Sequence, residues 1–158
     1  MHMNTEKLDR VVLFVQNLDA STALYSELLG IEFDEIPMAD VSPVKMVPGD
    51  ERSLSDDGVS QPDPLANWRV AISRVGLELI EGALEPDAAP RVACFHFKVD
   101  DYEAAKAEMA TRGIALQTDI TLGQLREAMY NPQGDQGPMM GLVSYPHEYV
   151  MDSIKAKG

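Results

Sequence analysis

His96 stands in an alternating run, R-V-A-C-F-H-F-K-V, over residues 91–99. Successive side chains leave a strand on opposite faces, so Phe95, Phe97 and Val99 share one face and Cys94, His96 and Lys98 the other. The first face is apolar and suited to lie under helices. The second carries a thiol, an imidazole and an amine. An imidazole exchanges its proton near neutral pH and can act as a general acid or base, although a strand histidine is also a common buried structural residue. Cys94 would be a nucleophile only with a depressed pKa and open access. With no separate orienting acid in view, it reads as a small core residue. A sheet with an apolar back and a chemically equipped front predicts a cupped cavity.

The partner of such a cavity is constrained by composition. A net charge of −13 speaks against nucleic acid, whose phosphates are bound by clusters of Lys and Arg. The acidic residues are scattered and read as a solubilising surface. No window approaches the ~20 apolar residues of a membrane span, and no export signal opens the chain. A small-molecule ligand, with neither nucleic acid nor membrane as partner, is the expectation. Cys94 is the only cysteine, which excludes an intrachain disulfide and a Cys-rich zinc site and makes a reducing cytoplasm the expected location. Met1 and His2 read as a cloning remnant before Met3, so His2 carries no functional weight. The 158 residues are read as one domain over 4–158, large enough to bury its own core.

The elements that position the front face follow from pattern and punctuation. Residues 8–15 are rich in β-branched side chains and predict a strand. Asn17 or Asp19 can cap a helix reaching about Leu29, with Leu24 and Leu28 on its inner face and Gly30 ending it. Residues 31–36 resume an extended pattern that Pro37 stops. The stretch 40–67, with Pro43, Pro48, Pro62 and Pro64 and a polar run at 50–57, predicts a long irregular excursion, either a lid or a tolerated surface insertion. Residues 68–73 and 76–81 predict two adjacent strands. After the strand at 92–99, Asp100 or Asp101 can cap a helix to Arg112, and Asp100 with Glu103 has capping-box spacing. Tyr102, Ala105 and Met109 form the inner stripe of that helix. Strands are expected at 114–118, 125–130 and 139–145, and a short helix at 148–155 with Val150 and Ile154 inward. In 125–130, Arg126 and Tyr130 share a face with Ala128 and are candidates for ligand contact, with Glu127 pointing away; a slip of one residue would swap the two sets. Met38, Met46, Met129, Met139 and Met140 suit either an adaptable lining or ordinary core.

This order repeats. Val15 and Asn17 recur as Val99 and Asp101, 84 residues on, and Gly30-Ile31 recurs as Gly113-Ile114, 83 residues on. Each half reads strand, helix, three strands: module one over 8–82 including the excursion, module two over 91–146, then a tail. Neither half buries both of its faces alone, so pairing around a shared concavity is the economical solution.

The duplicated pattern, V-V-L-F-V-Q-N-L-D-A-S-T-A-L-Y-S-E-L-L-G-I-E-F and F-H-F-K-V-D-D-Y-E-A-A-K-A-E-M-A-T-R-G-I, resembles the vicinal oxygen chelate superfamily of glyoxalase, epimerase, extradiol dioxygenase and bleomycin-resistance proteins. The resemblance implies an α+β fold of two βαβββ modules, paired into a cupped mixed sheet around a cavity with the helices outside. Metal enzymes of that superfamily commonly place a His on the first strand and a Glu on the last strand of each half. Here the His positions fall on Arg10 and Cys94, and one Glu position is Glu78 in G-L-E-L-I-E. Matching G-L-E-L to Gly141-Leu142-Val143-Ser144 puts the other on Val143, after a family D-P-x-G turn altered to N-P-Q-G at 131–134. An arginine cation in a ligand position repels a divalent ion, so no metal and no other cofactor is expected. A rearranged metal site on His96 and Glu78 is the alternative.

The resemblance also turns Arg10, Glu78, Cys94 and His96 into the cavity. Arg10 and Glu78 are expected to pair, because either charge buried alone is costly. That pair either ties two strands together or offers a guanidinium fork to a substrate carboxylate, carbonyl or enolate oxygen. The expected function is a metal-independent isomerase, lyase or proton-transfer enzyme acting on a small apolar carbonyl- or carboxylate-bearing compound. His96, Glu78 and Arg10 would be catalytic, and Arg10, Cys94, Arg126 and Tyr130 would contact the substrate. A ligand-sequestering protein of the bleomycin-resistance type is the other reading. A homodimer is the family habit.

Overall fold

The two repeat-related strands, β1 (Thr5–Val15) and β6 (Arg91–Val99), lie antiparallel at the centre of one sheet. The structure is a computed structural model that describes residues 3–37, 45–48, 67–134 and 137–156. On one side of the seam stand β5 (Leu77–Glu81), β4 (Arg69–Ser73) and β2 (Phe33–Glu35); on the other stand β9 (Met139–Ser144), β8 (Leu125–Tyr130) and β7 (Leu116–Leu122). Beyond β7 a further short strand, β3 (Lys45–Pro48), pairs antiparallel with it. It comes from the first half's excursion, so that connection crosses to the far edge of the second half. The rest of the excursion, 38–44 and 49–66, including Met38, lies outside the described residues, as does the side chain of Met46. The described strands thus form two modules of the α+β arrangement that the repeat implied, with β1–β5 and β6–β9 as matching parallel pairs.

Pairing register decides what faces the concavity. Arg10 lies opposite His96 and Val12 opposite Cys94. Because Leu8 pairs with Phe97 and Arg10 with His96, Asp9 is an extra residue in β1; because Val12 pairs with Cys94 and Leu13 with Val92, Ala93 is an extra residue in β6. The repeat therefore extends to its irregularities. A bulge bends its strand and re-aims a side chain, and here it brings the Asp9 carboxylate beside Arg10. Gly76, at φ +88, permits the close approach of backbone to this bulge: a Cβ there would stand 2.6 Å from the Asp9 carbonyl oxygen.

The helices cover the outside. Helix α1 (Leu18–Leu29) starts where the Asn17 side chain accepts from the Ala20 N–H, and stops at Gly30 in the left-handed region. Its packing differs from the sequence expectation. Leu24 and Leu28 are 52% and 66% exposed, and Leu18 is the buried leucine, among Val15, Ala71 and Leu79. Leucines lie on several sides of α1, so spacing does not select a face; Leu18 is anchored by its N–H donating to Glu81 Oε2 at 2.6 Å. In α2 (Tyr102–Thr111) the inner stripe is as expected, with Tyr102, Ala105 and Met109 buried against Val99, Ala128, Tyr130 and Leu142. Each such large apolar side chain contributes about 1.5–3 kcal/mol. The cap is Asp101, accepting from Ala104 N–H. Asp100 binds Asn4 and the Asp101 N–H instead, and Glu103 turns to Arg126, so the Asp100–Glu103 capping box does not form.

Helix α3 (Val150–Lys155) crosses to the concave side, with Val150 and Ile154 buried in the cluster around the cavity. It is held at both ends. Tyr149 donates to Asp34 Oδ2 at 2.7 Å and to the Ile72 carbonyl at 3.1 Å, while Gln124 N–H donates to the Ser153 carbonyl. No helix among the described residues is long and apolar enough to cross a membrane.

Candidate functional site

Arg10 is buried at the polar end of the concavity, and its guanidinium is the centre of the site. Nε donates to Glu78 Oε2 at 2.8 Å, and Nη1 donates to Asp9 Oδ2 at 3.0 Å. Nη2 donates to His96 Nδ1 at 2.5 Å and also to Glu127 Oε1. Four of the five guanidinium N–H groups are thereby occupied. Asp9 is in turn steadied by the Tyr145 hydroxyl, which donates to its Oδ1 at 2.5 Å. Each partner comes from a different position in the sheet: the β1 bulge, β5, β6 and β8.

The electrostatics follow from this enclosure. An arginine only donates, so the His96 Nδ1 that faces it carries no proton and the neutral ring bears its hydrogen on Nε2. Burial and the adjacent Arg10 charge push the His96 pKa down to about 3. The imidazole is thus a neutral hydrogen-bond donor at physiological pH, where the sequence alone suggested a general acid or base. Glu127 moves the other way: burial raises its pKa, and Arg10 only partly opposes that. Burial also raises the Cys94 thiol, with the charges of Glu127 and Glu78 adding to it, which removes the thiolate a nucleophile needs.

His96 owes its position to a missing side chain. A Cβ on Gly141 would lie 2.4 Å from His96 Cδ2, so the ring occupies the space that any other residue would fill. Register gives this glycine a further meaning. Val12 pairs with Glu78 just as its repeat-mate His96 pairs with Gly141. Gly141, rather than Val143, is therefore the counterpart of Glu78.

Around this polar end the cavity is apolar and encloses about 200 Å³. Phe14 and Trp68 meet edge to face in its wall, with Ile72, Leu125, Met129 and Ile154 around them. Arg10, Glu78, Cys94 and His96 all line it, as the resemblance implied, together with Met139. Arg126 and Tyr130 do not. The β8 pairing turns Glu127 and Met129 inward and sends Arg126 and Tyr130 to the helix side, where Arg126 binds Glu103 and stacks 4.2 Å from the Tyr102 ring centre, and Tyr130 is buried beside α2. Lys98 also leaves the site, lying over the Tyr145 ring. Glu127 is the residue that the sequence reading missed. Its signal lay in the repeat, because the pairing that sets Val70 beside Ile80 sets Glu127 beside Val143, and both Val70 and Glu127 face the cavity.

Two βαβββ modules sharing one cupped sheet around such a cavity define the vicinal oxygen chelate architecture. The sequence profile of the Glyoxalase/Bleomycin resistance protein/Dioxygenase superfamily matches residues 7–134, and the chain belongs to that family. Among curated protein sequences no relative matches. The crystal structure of methylmalonyl-CoA epimerase from Mycobacterium tuberculosis is similar at TM-score 0.62 and 17% identity, covering 96% of this chain and 95% of that one. A Streptomyces coelicolor methylmalonyl-CoA epimerase in complex with 2-nitronate-propionyl-CoA is similar at 0.59 and 16%, covering 92% and 100%. A hypothetical protein from Bacillus halodurans C-125 is similar at 0.59 and 13%, covering 89% and 95%. At these identities the likeness is one of fold.

The divalent ion of the family's metal enzymes does not fit these residues. Glu78, Glu127 and His96 spend on the Arg10 guanidinium the atoms an ion would need, and among the described residues no group of three or more His, Cys, Asp or Glu side chains could hold a metal ion. A cation that stays protonated at any working pH repels a second one placed beside it.

Proposed function

We propose that this protein binds a small, mainly apolar carbonyl compound and moves a proton on it without a metal ion, as an isomerase or lyase. The observation that carries this reading is the meeting of Glu78 and Glu127, from opposite halves of the sheet, at the polar end of an apolar cavity. Glu78 takes a proton from the carbon beside the carbonyl. The Nε2–H of His96 hydrogen-bonds the enolate oxygen that forms, while Glu127, whose pKa burial raises, stands beside it on Arg10 Nη2. The proton then returns to another face or another carbon. Arg10 contributes charge and positions both acids; with its donors engaged, it favours a carbonyl over a carboxylate, which would also face Glu78, Glu127 and Asp9. Methylmalonyl-CoA epimerases are among the proteins of similar fold, and an isomerase reading is compatible with that likeness. A cavity of this size suits a body of about one six-membered ring.

Trp68 is the only tryptophan and lines the cavity, so its fluorescence reports binding of small aryl-alkyl ketones and aldehydes. Incubation of the bound compounds in D₂O, followed by NMR, should show loss of the proton next to the carbonyl. Glu78→Gln should slow that exchange by about 100-fold or more while affinity stays within about tenfold. Binding with no exchange by the wild type would leave a sequestering protein in place of an enzyme, a role the apolar lining also serves.

A further inference from the structure

We infer that helix α3 sets the size of ligand the cavity admits, with Ile154 as the specificity-determining residue. This rests on reading the cavity as an apolar binding site and is independent of catalysis there. Among the described residues, the rest of the lining comes from strands or from Ile36 and Trp68, which directly flank β2 and β4; Ile154 alone comes from a helix. The two kinds of wall are held differently. Strand residues are fixed by the hydrogen-bonded ladder of the sheet. Helix α3 has six residues and no side-chain cap at its start, and so short a helix has little stability of its own. Its place is set by one seat on each module. At its start the Tyr149 hydroxyl donates to Asp34 on β2 and to the Ile72 carbonyl on β4, and the Arg74 guanidinium lies 4.2 Å from the Tyr149 ring centre. Near its end the Ser153 carbonyl accepts from the Gln124 N–H at 2.9 Å. Gly123, in the same β7–β8 turn at φ +59, permits this approach, because a Cβ there would stand 2.6 Å from that carbonyl oxygen. The helix is thus a strap from one module to the other, and it carries Ile154 into the cavity. With about 200 Å³ enclosed, a few carbon atoms at one wall decide between a ligand of one ring and a ligand of two. In an apolar pocket one methylene group changes affinity by about 10–200-fold.

Wild type, Ile154→Ala, Ile154→Phe and Tyr149→Phe are titrated by calorimetry with benzene and with naphthalene, neither of which has a carbonyl, after circular dichroism confirms that each is folded. Wild type should bind benzene more tightly than naphthalene. Ile154→Ala should strengthen naphthalene binding by about tenfold or more, and Ile154→Phe should weaken benzene binding by about tenfold or more. Tyr149→Phe keeps every lining side chain and unfastens one seat of α3, so naphthalene should gain about threefold there. Changes of opposite sign at one position separate a set cavity size from a generally loosened structure. Should Ile154→Ala or Ile154→Phe not fold, Ile154→Val must raise the naphthalene-to-benzene affinity ratio by about threefold. A ratio that stays the same in all folded variants overturns the inference, as does wild type binding both hydrocarbons equally or neither. Hydrocarbons sorted by size without proton exchange on any ketone would sustain it and overturn only the catalytic reading.

Discussion

The two halves of the sheet share a backbone and divide the chemistry unequally. Both carry a bulge at the same repeat position, but the first half puts an acid there, Asp9, and the second an alanine, Ala93. One residue on, the first half has Arg10 and the second Cys94. Two further on, Val12 corresponds to His96, and across the parallel pair Glu78 corresponds to Gly141. The first half therefore supplies a cation with two of its acids. The second supplies an imidazole, the room it lies in, and one acid from the neighbouring strand β8. Duplication delivers a symmetric cup; the lost symmetry makes its polar end a guanidinium-centred site.

The largest way to break this division is to remove its cation. In metal-free buffer Arg10→Ala strands Asp9, Glu78 and Glu127, and should lower the unfolding free energy by about 3–5 kcal/mol in urea titrations. Restoring a side chain to the second half comes next. Gly141→Ala forces the His96 ring out of its place and should cost about 1–3 kcal/mol; a variant as stable as wild type would show that the ring moves freely. The pH response isolates the imidazole. His96 takes a proton only near pH 3 in the native state, against about 6.5 when unfolded, so acid protonates the unfolded chain first and favours it. Between pH 6 and 4, stability should fall more steeply for wild type than for His96→Gln, by up to about 1.4 kcal/mol per pH unit. The smallest effect belongs to the outer face of β8. Arg126→Ala loses a half-exposed contact with Glu103, and should change stability by under about 0.5 kcal/mol while leaving ligand-induced Trp68 quenching unchanged.

Much of this molecule is legible residue by residue. Alternation marks the central strands, Asn17 and Asp101 mark the helix starts, and the spaced recurrence of Val15, Asn17 and Gly30 announces two modules. The same alternation puts Cys94 and His96 on one face. Where hydropathy is even on both sides, the reading fails. Strand β8 offers Leu125, Glu127 and Met129 on one face and Arg126, Ala128 and Tyr130 on the other, each with one charge and apolar companions. Nothing local chooses between them. The choice is made by α2, whose buried stripe takes Ala128 and Tyr130, leaving Glu127 for the cavity. In α1 the outcome is similar, with Leu24 and Leu28 left outside by a helix seated through Leu18.

By itself, then, the sequence determined the order of elements, their caps and the duplication that makes a cup, because propensity, alternation and capping are local properties of the chain. Only the tertiary structure decided that Asp9 and Glu127 join Arg10, that Gly141 makes room for His96, and that the imidazole is a neutral donor. Those depend on pairing register, on bulges and on burial, which exist only once strands far apart in the chain lie side by side.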